Sequence, residues 1–147
     1  MSEIYRKILE CLSGRVLEIG CGSGHFIDVL KEKGFDATGI DPYAYGRGCI
    51  RAYAEELPFD EEEFDSIVSV KSLHHTEAQE ALREAYRVLK NGGRICIADW
   101  VFGAETGIPE RYFTNDEIMK MLSDAGFESI DFMESPERDI FIVRAIK

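Results

Sequence analysis

The segment that most constrains this chain is Val16-Leu17-Glu18-Ile19-Gly20-Cys21-Gly22-Ser23-Gly24-His25-Phe26: an apolar run, three alternating glycines, then the start of an amphipathic stretch. Glycines at such a junction let the backbone turn sharply and let a ligand approach the main chain. Several nucleotide-binding folds share the turn, so it defines a strand-loop-helix unit before it names a ligand. A dinucleotide fingerprint begun at Gly20 would need a small residue at position 25 so that helix and strand pack tightly. His25 stands there instead. Asp41, at the end of the next β-rich run, lies about twenty residues further on, where a carboxylate accepting both ribose hydroxyls is expected.

Periodicity extends this unit in both directions. Ile4, Ile8, Leu9 and Leu12 recur at helical spacing up to Ser13-Gly14, which reads as the close of a first helix. After the glycine loop, Phe26, Ile27, Val29 and Leu30 keep helical period to Lys33-Gly34, and Ala37 to Ile40 reads as a second strand. Residues 42–48 are too short and glycine-rich for a full crossover helix before a third strand near Cys49 to Ala52. Phe64 to Val70 reads as a fourth strand. Thr76 to Gln79 and Thr114 to Glu117 both match a capping box, in which Thr and the acid or amide three residues on satisfy free amides at a helix start. The helix after Thr76 carries Ala81, Leu82, Ala85, Val88 and Leu89 and is read as stopping at Gly92-Gly93, before a fifth strand from Arg94 to Asp99. The helix after Thr114 closes at Gly126, and two β-rich runs, Phe127 to Met133 and Ile140 to Ile146, follow without a helix between them. The expectation is α/β: one doubly wound, mostly parallel seven-stranded sheet with an antiparallel C-terminal strand and a shortened helix between strands two and three. With 147 residues, 45% of them hydrophobic, one domain spans 1–147: an N-terminal helix over 1–14 and a core over 15–147.

Twenty-eight acidic against seventeen basic residues give a formal charge of −11, which disfavours unaided binding of a nucleic acid backbone. No apolar run approaches the roughly 20 residues of a membrane span, and Met1 to Lys7 does not read as a signal peptide, so the expected location is the cytoplasm, away from membrane. Cys11, Cys21, Cys49 and Cys96 form no CxxC pair and no Cys/His group at zinc spacing. They read as small buried hydrophobes, with neither disulfides nor a metal expected.

With these residues in view, the chain resembles the class I S-adenosylmethionine (SAM)-dependent methyltransferases, most closely the ubiquinone/menaquinone methyltransferase-like branch (methyltransferase type 11-like). Residues 16–26 resemble the first motif and Asp41 the ribose acid. Ala54 to Phe59 with Phe64-Asp65 resembles the segment reaching the adenine, and Ser69 to His75 the fourth-strand motif with its Leu-His-His ending. Ala85 to Gly93 is similar to the helix and turn before strand five, with Asn91 where proline is usual, and Tyr112 to Phe127 to the late helix and its glycine-phenylalanine exit. The resemblance implies that Gly20, Cys21, Gly22 and Gly24 cradle the methionine part of SAM and that Glu18 orients its ammonium. It implies that Asp41 and Pro42 lie at the ribose, Ala54 and Glu55 at the adenine, and Ser69 and Val70 beside the amino-acid moiety. Tyr53 stands where many relatives carry an adenine-binding aspartate, leaving Glu55 or main chain to substitute.

The implied cofactor is SAM, converted to S-adenosylhomocysteine, with no metal. The acceptor is unidentified. His74, His75 and Asp99 are the candidates for receiving an acceptor proton, since imidazole titrates near neutral pH; packing or helix entry is the competing reading of both histidines. Methyl transfer rests mainly on alignment of acceptor and methyl carbon, so none of the three is required as a strong base. The chain has little insertion to build a lid beyond Val101 to Tyr112, which suits a small acceptor or a macromolecule presented with a small activating subunit, as in some relatives; a homodimer is the other assembly considered. A SAM-binding scaffold without turnover is the alternative function.

Overall fold

A computed structural model describes residues 1–147. Alternation of side chains along each strand sorts the core onto two faces of one sheet. The strands are β1 (Arg15–Ile19), β2 (Asp36–Ile40), β3 (Cys49–Ile50), β4 (Phe64–Val70), β5 (Leu89–Trp100), β6 (Glu128–Met133) and β7 (Ile140–Ile146). Their order in the sheet is β3-β2-β1-β4-β5-β7-β6. β1 to β5 pair in parallel, and β7 runs antiparallel between β5 and β6. The expected α/β fold with seven strands and an antiparallel end is the one observed, but the shortened helix expected between strands two and three is absent: residues 41–48 form only turns, their glycines and short length leaving no room for a helical run.

The helices are α1 (Glu3–Leu9), α2 (His25–Glu32), α3 (Ala78–Val88) and α4 (Asn115–Ala125). Leu17 and Ile19 of β1 join the core formed with α3 and α4, while Val16 joins the opposite core with Ile4, Ile8, Phe26, Ile27 and Leu30 of α1 and α2. The two-residue period therefore sends Glu18 to the side of Val16, towards α1 and α2. Strand order reverses between β1 and β4, and the loops beyond the carboxyl ends of those strands form the crevice where α/β sheets bind ligands.

Four further local readings are corrected. α1 stops at Leu9; Ser13 instead exchanges hydrogen bonds with Ser66 Oγ, its amide donating and its carbonyl accepting, each at 2.9 Å, which fastens the chain to β4. The Thr76 capping box does not form. The Thr76 hydroxyl donates to the Leu73 carbonyl at 2.7 Å within the short 3-10 turn Leu73–His75, Gln79 reaches the Met121 carbonyl, and the helix starts one residue later, after Glu77. α3 ends at Val88, not at Gly92-Gly93, because the carbonyls of Arg87 and Val88 accept from the Glu62 and Glu63 amides and Leu89 enters the sheet opposite Phe64. The third strand is confined to Cys49–Ile50. The Thr114 capping box does form, with both reciprocal bonds at 3.1 Å.

The cysteines are another correction. Cys11, Cys21 and Cys96 are buried, but Cys49 is only half-buried, and its sulfur lies against that of Cys21, their Cα atoms 6.2 Å apart. β2–β3 pairing sets Cys49 beside Gly39, and a side chain at 39 would collide with Cys21. The missing side chain is what lets Cys21 lie against β2 and meet Cys49.

Candidate active site

The glycine loop is held from two sides. Its Gly20 and Cys21 amides donate to the Ile40 carbonyl at 2.8 and 3.1 Å, and the Gly22 amide donates to Asp41 Oδ2 at 3.2 Å. Gly20 has φ of +88°, and a Cβ there would overlap the Ser72 hydroxyl. That hydroxyl donates to the Ile19 carbonyl at 2.8 Å and meets Ser69 Oγ at 2.9 Å, so it underpins the turn. The loop between Asp41 and Cys49 packs directly on the glycine loop: a side chain at Gly46 would strike the Ser23 carbonyl. At Gly22, in contrast, an added Cβ meets nothing within 4 Å, so the loop presents bare backbone to open space.

That space belongs to two adjoining cavities that share Gly20. One, of about 550 Å³, is lined by Glu18, Gly20, Cys21, Gly22, His25 and Val70 together with Ile4 and Tyr5 of α1. Glu18 is only 4% exposed, and its Oε1 is buried with no hydrogen-bond partner. Burial, and then the nearby charge of Asp41, push its carboxyl up to about 8. A carboxylate buried without a donor costs several times what a satisfied one does, so an orphaned oxygen at a cavity wall marks a place for a cationic donor. The ammonium of SAM is such a donor, and bare loop backbone beside it leaves room for the methionine chain. The residues present fit the group.

The second cavity, of about 830 Å³, is lined by Asp41, Pro42, Ala54, Glu55 and both histidines, with Tyr43 and Tyr53 exposed at its rim. Asp41 Oδ1 accepts from the Tyr43 amide at 2.8 Å while Oδ2 holds Gly22, leaving each oxygen a further lone pair. Glu55 Oε1 accepts from the Glu77 amide at 2.8 Å, so it also fixes the entry to α3. Ser69 is buried with its hydroxyl turned to Ser72, and Gly24, also buried, starts α2.

His74 and Asp99 form one buried unit. The His74 side chain is 3% exposed; its Nδ1 lies 2.7 Å from Asp99 Oδ1 and its Nε2 3.1 Å from Glu110 Oε2. Asp99, fully buried, also accepts from the His74 amide at 3.1 Å and from the Trp100 amide at 2.8 Å. Desolvation alone would lower the His74 pKa, but the hydrogen bond and charge of Asp99, and then Glu110, outweigh it and hold the imidazole above its usual value. His75 is exposed, with Nδ1 3.4 Å from Glu110 Oε1. The histidines therefore line the cavity while Asp99 lies behind them, fixing His74.

Three contributors escaped sequence reasoning. Glu110 stands in an irregular segment far from the histidines in the chain. Ser72 gave no signal beyond its place after β4. Lys71, with φ of +54°, turns the chain out of β4 and sets its Nζ 5.0 Å from the Trp100 ring centroid; a non-glycine residue in that conformation is strained and such strain gathers at functional sites.

The sequence matches the family described as "Methyltransferase domain" over residues 17–97, and the chain belongs to that family. It is 30% identical to an uncharacterized methyltransferase of Staphylococcus carnosus over 91% of this chain and 71% of the relative. Mycobacterial uncharacterized methyltransferases, 31% identical, are matched over 40% of their own length. Among solved structures, a SAM-dependent methyltransferase from Archaeoglobus fulgidus superposes with a TM-score of 0.82 at 18% identity, covering 98% of this chain and 91% of that one. A chain of the complex between the Haloferax volcanii Trm112 methyltransferase activator and its methyltransferase superposes with a TM-score of 0.68 at 18% identity, over 90% and 81% of the two chains. The family is that of methyltransferases, and the fold is the one seen in solved SAM-dependent methyltransferases. No helix is long and apolar enough to cross a membrane.

Proposed function

We propose that this methyltransferase holds SAM across both cavities, with Glu18 on the ammonium, the backbone of Gly20, Cys21 and Gly22 along the methionine chain, Val70 beside it, Asp41 and Pro42 at the ribose, and Ala54 and Glu55 at the adenine, while Gly24, covered by the loop at Gly46 and Arg47, supports the turn from behind. One observation carries this reading: the buried, partnerless Oε1 of Glu18 at the cavity wall. The sulfonium of bound SAM supplies an electrophilic methyl group. What remains for the protein is to align an acceptor behind that carbon and keep water out, a contribution worth roughly 7 to 11 kcal/mol in favourable intramolecular reactions. The acceptor enters at the rim formed by Tyr43, Tyr53 and His75, whose exposed aromatic faces suit a planar or apolar group. A small activating subunit is part of the proposal for the assembled enzyme, supported by the likeness to the Haloferax volcanii chain, which has such a partner.

Calorimetry with SAM and with NAD tests the cofactor. SAM should bind at a single site and lose affinity in Glu18→Gln, whereas tight NAD binding without SAM binding overturns the reading. Incubation with methyl-labelled SAM and fractionated cell extract then identifies the acceptor. SAM binding with no labelled product from any fraction, with or without an added activating subunit, would instead favour a scaffold.

A further inference from the structure

His74, His75 and Glu110 bring three potential ligand atoms within 4.8 Å of one another, and the two histidines line the larger cavity. His74 Nε2 lies 3.1 Å from one Glu110 oxygen and His75 Nδ1 lies 3.4 Å from the other, each near the ~3.4 Å between neighbouring ligands around a tetrahedral ion with bonds near 2.1 Å. We propose that these side chains form a binding site for a first-row divalent ion of the zinc type, with His74 Nε2, His75 Nδ1 and a Glu110 carboxylate oxygen as its protein ligands.

The support around the cluster is that of a metal site. A ligating histidine almost always donates its other ring N–H to a carboxylate, which fixes the tautomer and raises the basicity of the ligating nitrogen. Asp99 occupies that position against His74 Nδ1 at 2.7 Å and is itself held by two backbone amides. Glu110 has its own outer partner: the Tyr112 hydroxyl donates to Oε2 at 3.4 Å, and Tyr112 packs edge-on against the His74 ring at a centroid distance of 5.0 Å. His75 has its side chain 58% exposed and its ring centroid 4.0 Å from that of His74, which keeps its ligand atom within 4.8 Å of the others. Donors of imidazole and carboxylate type, without thiolate, suit zinc and its neighbours in the first row. Three protein ligands leave at least one position open, the arrangement of catalytic rather than structural sites.

An open position on the side of the two histidines would lie against the cavity that also contains Asp41 and Ala54, which both histidines line. On the methyl-transfer reading, and resting on it, an acceptor hydroxyl or thiol would coordinate there and release its proton to water, leaving an oxyanion or thiolate for methylation. Ion binding itself does not depend on that reading. The sequence alone concealed the site because Glu110 arrives from the segment after β5, and histidines adjacent in the chain have no metal-ligand spacing of their own.

The test is titration of chelator-stripped protein with Co²⁺, followed by its visible d–d absorption, and with Zn²⁺ by calorimetry, in the absence of SAM. One ion per chain is expected, with affinity reduced at least tenfold in His75→Ala and in Glu110→Gln, both on exposed or half-buried positions that leave the core intact. Asp99→Asn should cost roughly 10 to 100-fold through His74 alone. Absence of stoichiometric binding, or binding unchanged in His75→Ala and Glu110→Gln, overturns the proposal. SAM affinity, measured on the same protein without metal, fails separately if the cofactor assignment is wrong.

Discussion

Glu18 and His74 are two buried titratable side chains, one on each cavity, with pKa values displaced in the same direction for opposite reasons. Glu18 is raised to about 8 because burial strips a carboxylate that has no donor, so near neutral pH it is held protonated and uncharged. His74 is raised because Asp99 and Glu110 outweigh its desolvation, which favours the charged imidazolium. Each site carries carboxyl oxygen suited to a cationic partner: an ammonium beside Glu18, and the imidazole itself between Asp99 and Glu110. The difference lies in what the fold requires. The unpartnered carboxyl is a cost that the folded chain carries for its ligand, while the partnered imidazole is part of the structure itself.

Removing each side chain should therefore show in a different measurement, stability for His74 and cofactor affinity for Glu18. His74→Ala leaves the fully buried Asp99 carboxylate without its partner, and breaking a buried pair in this way typically costs about 3 to 5 kcal/mol; a large drop in unfolding free energy in urea is expected, and a change under 1 kcal/mol would mean that the pair is not coupled. Next in size is cofactor affinity. A hydrogen bond to a charged group is worth roughly 1.5 to 3 kcal/mol, so Glu18→Gln should weaken SAM binding about tenfold to a hundredfold without loss of folding. Asp41→Ala should weaken it by tenfold or more by the same measure, with an added loss of order in the glycine loop because Asp41 also anchors the Gly22 amide. Equal affinities in Glu18→Gln and wild type would remove the contrast between the two regions.

These two regions were unequally legible in the sequence. The glycine loop, Glu18 and Asp41 are set by local chain geometry: a strand, a sharp turn and the end of the neighbouring strand, each announced by hydrophobic period and glycine placement. Burial of Glu18 follows from alternation along β1, but its missing partner does not, since that depends on what α1 and the loops leave open. The His74 unit is assembled from the turn after β4, the end of β5 and the segment containing Glu110, which no local pattern links. The same limit explains the helix starts. Thr76 and Thr114 carry equivalent capping patterns, yet only Thr114 caps, because the hydroxyl of Thr76 is taken by the 3-10 turn and the Glu77 amide is satisfied by Glu55 from elsewhere in the fold. Likewise the Cys21–Cys49 pair depends on the space left by Gly39.

The most specific effect concerns protons at Glu18. A folded-state pKa of about 8 lies above the ordinary value of 4.5, so the folded chain binds more protons than the unfolded one between those limits. The contribution of Glu18 to stability is therefore complete below pH 4.5 and is lost as pH rises through about 8, a slope that Glu18→Gln should remove from the pH dependence of unfolding. Binding of an ammonium reverses the preference, because it favours the ionised carboxylate. SAM binding near pH 6.5 should accordingly release about one proton per chain, seen as a calorimetric heat that varies with the ionisation enthalpy of the buffer. The release should vanish in Glu18→Gln while His75→Ala leaves it intact. Buffer-independent heats in the wild-type protein would show that Glu18 is already ionised, and hence that another donor satisfies it before the cofactor arrives.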